Sequence, residues 1–225
     1  MTFLRQMIIM LCVIAFARVA MAEDVLPQPA PAPDALKVSG RAADVGTKEL
    51  GIWTGYSDSN PTLIGRKTHR SLSELSMQYM RVVKAGETWA LKYTAEIVPA
   101  VTIRQPRQSV IDGDAEDLPG DRQSVYGFGV TPLGFQMNFR RGQVLQPYIN
   151  GSAGILFFEE KVPVVNSSRF NFSLGLGGGV QIWVLENQSL RAGYKYNHIS
   201  NGFTARENPG MDSNLLYIGY SFSWR

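Results

Sequence analysis

The stretch "FNFSLGLGGGVQIW", residues 170–183, decides the fold. Phe170, Phe172, Leu174, Leu176, Val180 and Ile182 alternate with Asn171, Ser173, three glycines and Gln181. A repeat of two is the signature of a strand, because successive side chains leave a pleated backbone on opposite faces. The run is as long as a membrane-spanning strand, and one face of it is wholly apolar.

The same rhythm recurs in both directions. "WALKYTAEIV", residues 89–98, sets Trp89, Leu91, Tyr93, Ala95 and Ile97 against Ala90, Lys92, Thr94 and Glu96. "LYIGYSFSW", residues 216–224, sets Leu216, Ile218, Tyr220, Phe222 and Trp224 against Tyr217, Gly219, Ser221 and Ser223. Eight such segments are expected, near 49–57, 70–83, 88–100, 123–140, 144–157, 169–183, 188–200 and 214–225. Pro132 interrupts the fourth and marks a bulge or a bend, since proline donates nothing to a ladder. "KAGE", "RRGQ" and "LENQ" read as short turns; the stretches at 57–69, 101–121, 158–168 and 201–212 read as long loops. Alternating short and long connections describe an all-β, eight-stranded antiparallel transmembrane barrel of the bacterial outer membrane. An even strand count places both termini on the periplasmic side.

The wet side of the wall follows from composition. Lys92, Glu96, Gln136, Asn138, Gln181 and the glycines form the inward set. Eight strands leave room inside for side chains only, so the barrel is no pore. A soluble lipocalin-like barrel would carry the opposite arrangement, with polar residues outside.

The remaining segments fit export. Arg5, the apolar run from Met7 to Ala17 and the small-residue pattern ending at Ala22 read as a signal peptide over residues 1–22, too short to span a membrane as a helix. Arg5 and Arg18 would carry away two of the three net positive charges, so basicity gives no argument for nucleic acid. Cys12, the single cysteine, leaves with them, which removes disulfides, thiolate metal sites and cysteine nucleophiles. Residues 23–48, with "LPQPAPAPDAL", read as a flexible Pro/Ala-rich periplasmic segment, and 49–225 as the barrel.

One strand breaks the pattern. In "YKYNHISNGF", residues 194–203, His198 and Ser200 share the face of Leu190, Ala192, Tyr194 and Tyr196. Side chains two apart on a strand point the same way, with Cα atoms roughly 6.5–7 Å apart. An imidazole there can take the proton of a neighbouring hydroxyl as it attacks an ester. Asp212 lies on the matching face just before the eighth strand, the hairpin partner of the seventh, and is the candidate acid that orients the base. Asn201 and Asn208, or nearby backbone N–H groups, are candidate donors to an oxyanion. The other histidine, His69, falls in the first long loop and reads as solvent-exposed. The topology lifts the end of the seventh strand to the external rim, facing the acyl esters of the outer leaflet.

These residues carry a resemblance. "HISNG" followed by "ENPGMDSN" resembles the lipid A 3-O-deacylases of the PagL type, and the likeness extends over 49–225, including "GVTPLGFQMNFR" and "QPYINGSAGILFF". The resemblance implies an outer-membrane esterase without metal or cofactor, releasing the 3-hydroxyacyl chain at position 3 of lipid A and so remodelling lipopolysaccharide. It assigns Ser200 as nucleophile, His198 as base and Asn201 and Asn208 to the oxyanion site. The best-known family members carry Glu where this chain has Asp212; Glu207 is the fallback acid. The implied partners are lipopolysaccharide and the outer membrane, with a homodimer as the allowed assembly. The competing readings are a non-enzymatic barrel, adhesive or structural, that binds through the loops at 101–122 or 158–168, and a phospholipase of similar chemistry.

Overall fold

The computed structural model describes residues 44–58 and 60–225. The signal peptide and most of the Pro/Ala-rich segment lie outside the described residues. Eight antiparallel strands close into one ring in chain order, β1 pairing with both β2 and β8. They are β1 (Lys48–Ser57), β2 (Ser71–Ala85), β3 (Trp89–Ile111), β4 (Asp114–Phe139), β5 (Leu145–Val162), β6 (Ser168–Leu185), β7 (Gln188–Ser200) and β8 (Met211–Trp224). Closure of the ring leaves the barrel wall without an open edge.

The alternation holds as read. Leu174, Leu176, Leu216 and Ile218 stand exposed on the outer wall, while Lys92, Glu96, Gln136, Asn138 and Gln181 are buried in the lumen. Gly175 admits the inward Lys195, since a Cβ there would lie 2.3 Å from its Cε. The bulge expected at Pro132 is present: the β4–β5 register shifts between Val130 and Leu133.

One expectation fails. Residues 101–121 are not a loop, because β3 and β4 continue as a paired ribbon to Ile111↔Asp114. Asp112 (φ 51°) and Gly113 (φ 90°) close it. Two residues at positive φ match the right-handed twist of the flanking strands, and Asp-Gly is the favoured pair there. The "IDGD" between "VTIRQ" and "DAED" was the signal to read.

The lumen has two zones. Near the short turns it is a hydrogen-bonded polar network. Lys92 Nζ meets Glu49 Oε1 at 2.5 Å and Gln181 Oε1 at 3.0 Å. Gln78 Nε2 donates to Glu96 Oε1 at 2.6 Å. Near the loops it is an apolar plug that includes Leu72, Ile103, Leu156, Phe158, Ile199 and Leu215. Ile199, the apolar exception on the inward face of β7, belongs to this plug. Above it, the buried Arg70 guanidinium binds Asp117 at 3.0 Å and the Pro163 carbonyl at 3.0 Å, tying the β1–β2 connection, the β3–β4 ribbon and the β5–β6 connection together.

Candidate active site

β7 and β8 pair so that His198 stands directly opposite Asp212. Both face outward, two residues from Tyr196 and Asn214, which also pair. His198 Nδ1 and Asp212 Oδ1 are 2.7 Å apart. A carboxylate at that distance fixes the proton on Nδ1 and leaves Nε2 as the basic nitrogen. No other hydrogen bond of the imidazole is found among the described residues.

Outward parity would leave these groups bare, yet His198 is 8% exposed and Asp212 is 0% exposed. The connection between β1 and β2 covers them. The Leu63 and Ile64 backbone N–H groups both donate to Asp212 Oδ2 at 2.9 Å. Asn60 Nδ2 donates to the Asp212 carbonyl at 2.7 Å, and Arg66 N–H donates to the Pro209 carbonyl at 2.9 Å. Lys67 forms a parallel bridge to Met211. Charge-assisted bonds to a carboxylate are the strong kind, so Asp212 is held as an ion from two sides. Sequence reading missed this connection, because backbone donors leave no residue-type signature.

Ser200 lies two residues beyond His198 on the same face, opposite Phe172 of β6. Among the described residues its hydroxyl has no hydrogen-bond partner, and none joins it to His198. Such bonds are commonly long before substrate arrives and tighten in the complex.

The two asparagines differ. Asn201 is fully buried, and its Nδ2 is spent on Ser167 Oγ and the Glu207 carbonyl, each at 2.7 Å. Its backbone N–H donates to Asn208 Oδ1 at 3.0 Å. That bond turns the Asn208 Nδ2 donors away, with no partner among the described residues. Asn201 therefore staples the β7–β8 connection, and Asn208 holds the free amide. Glu207 is occupied elsewhere, accepting from Asn166 Nδ2 at 2.5 Å, so it is Asp212 that meets the histidine. His69 is exposed as expected, with Thr68 Oγ1 3.0 Å from its Nδ1.

A closed eight-stranded barrel with an apolar outer belt and a polar lumen is an outer-membrane protein. The family model "Lipid A 3-O-deacylase (PagL)" matches residues 74–221, more than half of the chain. The chain belongs to the lipid A 3-O-deacylase (PagL) family. Among solved structures, it is similar to the outer membrane enzyme PagL at 15% identity and TM-score 0.54, covering 76% of this chain and 97% of that one. The Neisserial surface protein A matches at 15% identity and TM-score 0.44, over 79% of this chain and 96% of that one. Ail, the attachment invasion locus protein of Yersinia pestis, also matches at 15% identity and TM-score 0.44, over 80% of this chain and all of that one. At 15% identity the likeness to the enzyme PagL speaks to the fold alone. No curated protein sequence matches the chain.

Proposed function

We propose that the protein hydrolyses the ester-linked 3-hydroxyacyl chain at position 3 of lipid A by a Ser200/His198/Asp212 mechanism, remodelling lipopolysaccharide in the outer leaflet. The observation that carries this reading is the His198–Asp212 contact of 2.7 Å on the outer wall of a lipid A deacylase-family barrel. A barrel that only adheres has no need of it.

In this reading the loop end of the barrel faces the cell exterior, and the ester reaches the site sideways from the bilayer. Ser200 Oγ attacks the acyl carbonyl carbon, and its proton passes to His198 Nε2. Asp212 holds the Nδ1–H and stabilises the imidazolium. The free Asn208 amide donates to the oxyanion as charge builds on it. Collapse breaks the ester bond, and the leaving 3-hydroxyl of the sugar takes the proton from His198. Water, deprotonated by His198, then cleaves the acyl-enzyme and frees the 3-hydroxy fatty acid.

Mass spectrometry of lipid A from membranes expressing the protein tests this. The parent should remove one 3-hydroxyacyl group, and Ser200→Ala should leave lipid A intact, a loss of about 10⁵-fold or more. A Ser200→Ala protein that deacylates like its parent ends the reading.

A further inference from the structure

The β1–β2 connection, in its described residues 60–70, is a second working part of the site. Three observations converge on it. Its Leu63 and Ile64 amides hold Asp212 Oδ2. The side chains of the same two residues are 72% and 59% exposed. Gly65, next in the chain, is pressed against β8, where a Cβ would lie 2.7 Å from both the Met211 Cα and carbonyl carbon. Those are backbone atoms of a paired strand and cannot yield cheaply.

Geometry sets where these side chains lie. Asp212 shares the outward parity of Leu216 and Ile218, both of which are exposed on the wall. Residues whose amides reach its carboxylate from outside therefore lie beside the barrel, not above its mouth. Two adjacent large aliphatics exposed there continue the apolar belt of the outer wall. In water they would be a liability; in the acyl layer each gains the free energy of burial.

We propose that this connection is a bilayer-seated clamp on the triad acid: Leu63 and Ile64 dip into the acyl layer while their amides fix Asp212 for His198. Gly65, Leu63 and Ile64 are positioning residues, acting through Asp212 without touching the ester. The clamp couples contact with the lipid surface to the competence of the triad. It rests on the esterase reading for its consequence, and not for its geometry.

The test uses the full chain in micelles and in phosphatidylethanolamine vesicles, both containing lipid A. Folding is checked by the heat-modifiable mobility of the barrel. Gly65→Ala should lower kcat by about tenfold to a hundredfold with little change in KM, as expected when a reacting group is misplaced by a fraction of its working distance. With only two histidines to label, the His198 Nδ1–H proton can be followed by NMR, and Gly65→Ala should shift it towards the ordinary imidazole position. Leu63→Ser/Ile64→Ser keeps the amides and should lose about tenfold more activity in vesicles than in micelles. An unmoved His198 signal in Gly65→Ala overturns the proposal, as does activity within about twofold of the parent. Equal losses by the double variant in vesicles and micelles overturn it too, and that variant decides alone if Gly65→Ala does not fold. Should Ser200→Ala remain active, the esterase reading fails while the His198 signal still reports on the clamp.

Discussion

Glu49–Lys92 and His198–Asp212 are both buried acid–base pairs, at 2.5 and 2.7 Å, on opposite sides of one barrel wall. Around the lumen pair both charged groups are met by further polar partners. Lys92 also meets Gln181; Gln181 donates to Glu49 Oε2 at 3.1 Å and to Ser189 Oγ at 2.8 Å. Both side chains are 1% exposed, enclosed by the wall itself. On the outside, connections between strands do the enclosing. Asp212 is saturated like its lumen counterpart, but His198 Nε2 and the Ser200 hydroxyl have no hydrogen-bond partner among the described residues. The difference is between a pair whose partners are met on both sides, as a fold needs, and a pair whose imidazole keeps one nitrogen open, as the proposed base would need.

Substitutions can break that comparison. Asp212→Asn should leave a folded barrel and lower deacylation by about 10⁴-fold, since an amide stabilises the wrong tautomer and cannot balance the imidazolium. Kinetics on lipid A in micelles measures this, and Asp212→Glu should recover part of the loss. Glu49→Gln should do the reverse. Stranding Lys92 costs about 3–5 kcal/mol, read as a lower urea midpoint by tryptophan fluorescence, with kcat of the folded protein intact. A large fall in kcat would show that the lumen network reaches the site.

Smaller effects sharpen the contrast. Asn208→Ala should lower kcat by about a hundredfold with KM little changed, the cost of one oxyanion donor. The smallest effect concerns Asp117 on the β3–β4 ribbon, beyond the apolar belt. Burial pushes its carboxyl up, but Gln108 and Arg70 outweigh this and hold it below the usual carboxylate range. A lowered carboxyl contributes stability above its unfolded value near 4, lost as pH falls through the folded value. Protection factors of the amides in residues 101–121, corrected for intrinsic exchange, should therefore fall in strong acid and stay unchanged from neutral pH down to about 5.

Much of this molecule was legible beforehand, and the failures share a cause. Period-two alternation located all eight strands, and Asp212 was placed beside His198 by parity and hairpin adjacency, both local rules. The 101–121 ribbon was missed because Pro106, Pro119 and a run of polar residues mask the alternation, and only the Asp-Gly pair announces its turn. Asn201 and Asn208 looked alike in sequence. They part because Ser167, on another connection, and the Glu207 carbonyl capture one amide.

The sequence by itself determined the architecture and the pairing of His198 with Asp212, because both rest on which way a side chain leaves a strand, and that direction is set by position along the chain. The tertiary structure decided how Asp212 is held. The donors to Asp212 are the backbone amides of Leu63 and Ile64, about 150 residues away in the chain. Every residue but proline carries such a group, so only the closed ring, by bringing β1 against β8, could select those two.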